Sequence, residues 1–257
     1  MSDKKSNVLI SIRDLTKTYG TGKNQNCILN HISAEVYEND FTVIMGPSGA
    51  GKSTFLYVVS GMETCSGGMV KYKNQDITML REKDMAALRT SEFGFVFQQA
   101  NLVSNLTLEE NILVSGYMKK GNKEKDVKKS CRILMEQMNI THAGMRMPSE
   151  CSGGEAQRTA VARAVINKPA VVFADEPTGA LNKNNTTEVL NLLGKLHQDG
   201  QSIMMVTHDV HAAIRGNRIL YLEDGQIKGE IRLPIYAQEQ ERERQEQLAQ
   251  WLSALGW

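Results

Sequence analysis

The chain has 257 residues, with 30 Lys and Arg against 29 Asp and Glu, for a formal net charge of +1. That length suffices for one large domain or a domain with an inserted lobe, and the even charge makes no case for DNA or RNA as the main partner. Cys27, Cys65, Cys131 and Cys151 are scattered without C-x-x-C or zinc-ligand spacing, and they read as reduced thiols of an intracellular protein. The polar start lacks the pattern of a secretory signal, and no apolar stretch approaches about 18 residues. Any membrane role is therefore expected to come through a partner.

Residues 8–15 alternate apolar and polar and predict an edge strand. Tyr19 then precedes a glycine turn, either as a solitary surface aromatic or as a platform on which a purine base stacks. Residues 27–36 predict a second strand, and Asn39-Asp40 a turn. The apolar run 41–45 leads into Gly46-Pro47-Ser48-Gly49-Ala50-Gly51-Lys52-Ser53-Thr54 and then into the apolar 55–59. Strand, tight glycine loop and helix are the setting in which G-x-x-x-x-G-K-[ST] means a phosphate-binding loop. Its backbone N–H groups would face phosphate oxygens, helped by the positive end of the following helix. Lys52 would reach the β- and γ-phosphates, and the Ser53 hydroxyl would sit on Mg²⁺. Glycine is expected at 49 and 51 because a Cβ would block the approach to phosphate.

Residues 69–72 predict a short strand and 84–89 a helix. Residues 93–99 predict a strand of high β-propensity ending in Gln98-Gln99. Gln98 is either a solvated strand end or a contact to Mg²⁺ or the attacking water. From 107 to 140 the apolar spacing turns helical without strand signals, as in a helical lobe inserted into an α/β core. Its segment 119–129 carries six lysines with Glu124 and Asp126 among them, which reads as a solvated helix face. Next, Ser152 is a candidate N-cap for a helix running to about Ile166, with Ala160, Val161, Ala164 and Val165 as its buried stripe. Gly153 and Gly154 bare the first backbone N–H groups beside Ser152, a second anion-type helix end. One nucleotide rarely needs two such loops about 100 residues apart. Either the second is only a capped helix, or it completes the phosphate site of another molecule.

The apolar run 170–174 predicts a buried parallel strand ending in Asp175-Glu176, where α/β sheets bind ligands. Asp175 would hold Mg²⁺ through water, and Glu176 would polarise the attacking water as general base. Residues 186–197 predict a helix and 202–207 a buried strand ending in His208-Asp209, which places His208 for a γ-phosphate contact. His31, His142, His197 and His211 carry no such expectation. Residues 218–222 and 226–233 predict a hairpin around Glu223-Asp224-Gly225. Beyond Ala237, Leu248, Trp251, Leu252 and Leu255 recur at i, i+3, i+4 and i+7 and predict an amphipathic C-terminal helix. Four Glu against two Arg in residues 239–246 make it a poor binder of anionic lipid, so it is expected to dock on its own domain or on a sister subunit.

Taken together, GPSGAGKS, Gln98, CSGGE, VVFADE and His208 resemble the nucleotide-binding subunits of ATP-binding cassette (ABC) transporters, from about residue 8 to residue 233. The run ADEPTGALN and the helical lobe are most similar to the macrolide-exporter, lipoprotein-release and bacitracin-resistance (peptide antibiotic) ATPases. The resemblance implies an α/β fold, a RecA-like P-loop NTPase core with an N-terminal antiparallel β subdomain and an inserted helical subdomain. Residues 1–98 would hold the β subdomain and first part of the core, 99–158 the helical subdomain with the signature motif, and 159–233 the second part of the core. Residues 234–257 would form the C-terminal helix. It further implies ATP and Mg²⁺ as ligands and a head-to-tail homodimer. Tyr19 would stack on adenine, and Gly46 through Thr54 would hold the phosphates. Ser53, Gln98 and Asp175 would serve the metal, and Gln98 would also link that site to the helical lobe and the permease. Ser152, Gly153, Gly154 and Glu155 would close over the γ-phosphate in trans. Lys52, Gln98, Glu176 and His208 would form the catalytic set.

Three positions depart from the family pattern: Cys151 for a usual Leu, Asn182 for a usual Asp, and Asn39 where glycine is common. The implied function is an ATPase that powers an integral membrane permease, bound at the cytoplasmic face of the membrane and serving peptide antibiotics or other amphipathic compounds. A mechanical signaller to cell-wall enzymes shares every motif. Soluble DNA-repair and translation ATPases of this class would carry long coiled coils or a second cassette, and neither is present. A GTPase is disfavoured because Asn167-Lys168-Pro169 lacks the aspartate that selects guanine.

Overall fold

The structure, a computed structural model, describes residues 7–20 and 22–257. In chain order its elements begin with β1 (Val8–Tyr19), β2 (Asn26–Tyr37), β3 (Phe41–Met45), α1 (Lys52–Val59), β4 (Gly67–Tyr72) and β5 (Gln75–Asp76). There follow α2 (Glu82–Glu92), β6 (Phe93–Val96), α3 (Leu108–Met118), α4 (Glu124–Gln137), α5 (Gly153–Val165) and β7 (Val171–Asp175). The chain closes with α6 (Lys183–Gln198), β8 (Ser202–Val206), α7 (Val210–Ala213), β9 (Arg218–Glu223), β10 (Gln226–Arg232) and α8 (Glu241–Ala254). Packing divides it into two compact units, one built from the residues up to 85 with 197–257, the other from 86–196.

In the first unit an antiparallel sheet runs β2-β1-β4-β5. The sequence predicts β1 as an edge strand, and the structure corrects this: Ile10 pairs with Val36 on one side and with Tyr72 on the other. Leu9, Ile10, Ile12 and Leu15 are all buried, so the strand sits mid-sheet with the polar residues of its alternation at the rim of the core. The other strands of this unit run β10-β9-β3-β8, with β3 parallel to both β8 and β9. All five residues of β3 and all five of β8 are buried, which is why both read as continuous apolar runs. The turn into β3 places Asn39 at φ 60°, a left-handed conformation that Asn tolerates better than most residues, so no glycine is required there. His197 secures this turn by a 2.9 Å hydrogen bond from Nε2 to the Asn39 carbonyl, and burial lowers its pKa. Between β9 and β10, Asp224 (φ 47°) and Gly225 (φ 69°) make the two-residue left-handed turn that matches strand twist.

α8 docks within this same unit. Leu248 and Leu252 are buried, and Trp251 meets Tyr221 edge-on at 6.5 Å. The deepest polar residue of the helix is Arg244. Its guanidinium donates to the carbonyls of Ile214 (2.9 and 2.6 Å), Gly216 (2.7 Å) and Pro234.

In the second unit β6 and β7 pair in parallel, and Phe93 packs edge-on against Phe173 at 5.2 Å. β6 ends at Val96, three residues earlier than the sequence suggests, and Phe97, Gln98 and Gln99 belong to the following loop. α3, α4 and α5 pack together as a helical lobe. α3 opens with a capping box in which Thr107 Oγ1 accepts from the Glu110 N–H and Glu110 Oε2 accepts from the Thr107 N–H. The lysine-rich stretch is only in part a solvated face. Lys119 donates to the carbonyls of Asn167 (2.8 Å) and Ser91 (3.2 Å), tying α3's end to the connection after α5. No helix among the described residues is long and apolar enough to cross a membrane.

Candidate active site

Each unit carries its own set of the predicted residues. In the first, β3 delivers the chain into the glycine loop and α1 leaves it. A Cβ on Gly46 would lie 1.9 Å from the Leu222 carbonyl oxygen, and one on Gly51 (φ 95°) 2.9 Å from the Ile28 carbonyl. Gly49 (φ 82°) has open space around its Cβ position. The reason for glycine therefore differs from the sequence reading. At 46 and 51 the protein's own backbone fills the space, and at 49 the left-handed conformation alone demands it. Gly51 is the N-cap of α1 and brings no side chain to its first turn. Lys52, 8% exposed, donates to the carbonyls of Gly46 and Pro47, both at 2.8 Å. Its ammonium is thereby held against the mouth of the loop, at the positive end of a helix.

Tyr19 ends β1 and is 41% exposed. Its hydroxyl donates to Glu63 Oε2 at 2.6 Å, and Lys17 Nζ lies 4.9 Å from the ring centroid while pairing with Glu63 at 2.9 Å. Burial and the hydrogen bond to Glu63 raise its pKa, whereas the Thr54 hydroxyl hydrogen-bonds the phenol and lowers it. The ring is thus held by charged partners beside Thr54, the last residue of the glycine loop. His208 follows β8, whose Val206 pairs with Ile44 of β3, and the Thr207 N–H bonds the Ile44 carbonyl at 3.1 Å. The exposed imidazole thus belongs to the strand end next to the start of the loop. Asp209 then caps α7, its Oδ1 accepting from the His211 N–H at 2.8 Å.

In the second unit Asp175 closes β7 and is 9% exposed. Glu176 takes φ 43°, a left-handed conformation costing on the order of 1 kcal/mol for a residue with a side chain. The Gln98 amide lies where a Cβ on Gly179 would come within 2.8 Å of Nε2, so the loops after β6 and β7 meet at Gln98 and Gly179.

Ser152 is the N-cap of α5, as predicted, within a full capping box. Its Oγ accepts from the Glu155 N–H (3.2 Å) and donates to Glu155 Oε2 (2.8 Å), which also accepts from the Ser152 N–H (2.8 Å). These bonds from Ser152, with His142 at 2.9 Å and Arg146 at 3.6 Å, hold the Glu155 carboxyl down at about 2. A Cβ on Gly154 would fall 2.3 Å from Asn185 Oδ1, and Gly153 faces Leu181. The glycines therefore also admit the segment that follows Asp175-Glu176. Asn182 Oδ1 accepts from the Asn185 N–H at 3.0 Å, a capping bond that Asn makes as well as the usual Asp. The Cys151 thiol donates to the Met147 carbonyl at 3.2 Å, and burial raises its pKa.

Sequence reasoning missed two features. Lys17 and Glu63, which orient Tyr19, carry no local signal. Gln157 does: it lies three and four residues before Ala160 and Val161, a polar side chain on the buried stripe of α5.

No group of three or more His, Cys, Asp or Glu among the described residues could by itself hold a metal ion. One buried-strand carboxylate and a serine hydroxyl, completed by substrate phosphates, is the kind of donor set Mg²⁺ takes, and Asp175 and Ser53 supply those types.

A strand, a glycine loop with a helix-borne lysine and a second capped glycine helix define a P-loop NTPase of the cassette type. The chain belongs to the ABC transporter family, which it matches over residues 29–179, and it is an ABC-type ATPase. The bacitracin export ATP-binding protein BceA of Halalkalibacterium halodurans is 37% identical over 85% of this chain and 87% of its own. The lipoprotein-releasing system ATP-binding protein LolD of Pseudoalteromonas translucida is 35% identical over 86% of this chain and 96% of its own. The macrolide export ATP-binding/permease protein MacB of Aggregatibacter actinomycetemcomitans is 36% identical over 85% of this chain, which spans only 34% of MacB's length. Among solved structures, the ATP-binding cassette MJ0796, a dimer in a post-hydrolysis state bound to ADP and Pi, superposes with a TM-score of 0.81 at 33% identity. That match covers 88% of this chain and all of the other.

Proposed function

We propose that this chain binds Mg²⁺-ATP, pairs head to tail with a second copy on doing so, and hydrolyses it to drive an integral membrane permease from the cytoplasmic face. The observation that carries the reading is the loop between β3 and α1, with left-handed glycines and Lys52 gathered on its carbonyls at a helix N-terminus. Tyr19 would take the adenine face, and Gly46 through Thr54 the phosphates. Mg²⁺ would supply charge neutralisation of the β- and γ-phosphates, with Ser53, Gln98 and Asp175 as its protein contacts. Glu176 orients and deprotonates the attacking water, and His208 contacts the γ-phosphate oxygens. The capping box engages the N–H groups of Ser152 and Glu155, so a phosphate of the second copy would meet chiefly those of Gly153 and Gly154. The domain limits that go with this are 1–98 and 159–233 for the β subdomain and core, 99–158 for the helical subdomain and 234–257 for the C-terminal helix. The names of the similar proteins support an export role in peptide antibiotic resistance or the handling of other amphipathic compounds.

The test is affinity capture of the tagged chain from gently solubilised native membranes, with partners identified by mass spectrometry. A multi-span permease whose vesicles move substrate on ATP addition is the expected result. Capture of cell-wall hydrolases through a membrane protein that moves nothing would replace transport with signalling, and capture of ribosomal or DNA-bound proteins alone would overturn both.

A further inference from the structure

Gln157 is 1% exposed in the middle of α5, and no role in the chemistry above uses it. Its Nε2 donates one hydrogen to the Phe97 carbonyl and the other to the Pro177 carbonyl, both at 2.7 Å. Phe97 immediately precedes Gln98, and Pro177 immediately follows Glu176. A single amide group therefore fixes the backbone on either side of the two loops that present the proposed metal and water contacts. Each primary amide has two N–H donors in one plane, so satisfying both carbonyls also sets the distance between them. Six residues further along the same helix the arrangement recurs, where Arg163 donates to the carbonyls of Ala100 (2.8 Å) and Asn101 (2.7 Å). Gln98 in turn fills the space that Gly179 leaves for want of a Cβ.

We propose that Gln157 is a positioning residue for ATP hydrolysis: its amide locks the loop bearing Gln98 to the loop bearing Glu176, so that both are presented in one fixed geometry. The inference rests on the ATPase reading of those loops. A buried primary amide is costly unless its donors are satisfied, and here both N–H groups go to backbone carbonyls in the segments that follow two neighbouring parallel strands. Displacing a water- or metal-orienting group by about 1 Å is enough to cost about a hundredfold in rate. Binding of the nucleotide by residues 46–54 is made by other atoms in the first unit and does not pass through this amide.

The test is Gln157→Met in the full chain, which keeps side-chain length and volume and removes both donors. Turnover is expected to fall at least about tenfold, with the apparent Mg²⁺ requirement raised and the affinity for a fluorescent ATP analogue changed by less than about twofold. Gln157→Lys, which keeps a donor in reach of either carbonyl, is expected to recover part of the turnover. Unchanged turnover in a folded Gln157→Met chain overturns the proposal. So does a parallel loss of turnover and nucleotide affinity with a lowered melting temperature, because that pattern marks a merely structural residue. Should Gln157→Met fail to fold, Gly179→Ala puts the same question by pushing a methyl into the Gln98 amide, and the same split between turnover and affinity is expected. Wild-type turnover is the control: an inactive wild type removes the ATPase reading, whereas an active wild type beside an equally active variant removes only the role of Gln157.

Discussion

Glu176 and Glu155 show how two carboxylates of one unit are put to different uses by their surroundings. Glu176 directly follows a fully buried strand and takes a left-handed conformation, a strained backbone of the kind found at active sites. Glu176→Gln keeps the shape and removes the carboxylate proposed as the base. The expected outcome is nucleotide affinity within about twofold of wild type and phosphate release lowered at least about a hundredfold, measured by equilibrium binding and single-turnover hydrolysis. Near-wild-type release would remove Glu176 as the base. Glu155 instead spends its oxygens on Ser152, His142 and Arg146, and its pKa is held below the ordinary 4.5 at about 2. With a depressed folded-state pKa, its stabilisation is complete above about pH 4.5 and is lost as the pH falls toward about 2. In acid titrations followed by circular dichroism, wild type should lose stability relative to Glu155→Gln across that window, and the two should converge at its lower end. Glutamine still closes a capping box, so helix α5 survives in the variant.

Among the elements, α8 carries a lesson about buried charge. Its apolar spacing was readable, and Leu248 and Leu252 are buried as that spacing requires. Arg244 was not readable as a core residue, because its partners are carbonyls up to 30 residues earlier, freed where α7 ends and where β10 leaves the sheet. Arg244 makes four donations to three carbonyls, which the five donors of a rigid planar guanidinium can supply and the three of a lysine ammonium cannot. Arg244→Met leaves those carbonyls buried without donors and is expected to cost about 2–4 kcal/mol, which is roughly 5–12 °C in melting temperature for a chain of this size. Differential scanning calorimetry reads the shift. ATP turnover well below that temperature is expected to stay near wild type, since the carbonyls that Arg244 serves, those of Ile214, Gly216 and Pro234, belong to no residue assigned to the chemistry. A drop in turnover without a drop in melting temperature would mean that α8 acts on the site rather than on stability.

For the molecule as a whole, what was legible followed from local rules. Five-residue apolar runs gave β3, β7 and β8, the glycine loop announced itself by spacing, and Asp224-Gly225 gave the hairpin. The central place of β1, the hook of Lys119 and the amide of Gln157 were illegible or half-legible because they depend on which strand or carbonyl lies opposite, a matter of non-local register. One puzzle set by the sequence is about assembly: a second capped glycine helix beside Ser152 in a chain that already has a phosphate loop. If that helix serves a second copy, two ATP molecules bridge two chains, and each site is incomplete alone. Glu176→Gln, which should hold ATP uncleaved, is then expected to run as a dimer with Mg²⁺-ATP and as a monomer with Mg²⁺-ADP in light scattering after gel filtration. Adding Gly153→Asp to the same chain places a carboxylate where the partner's γ-phosphate would sit. Like charges at about 4 Å repel by several kcal/mol near a protein surface, enough to return the ATP-loaded chain to monomer while leaving nucleotide binding at residues 46–54 intact. A dimer that persisted in the double variant would show that α5 of one copy does not face the phosphate of the other, and the two sites would have to be complete within one chain.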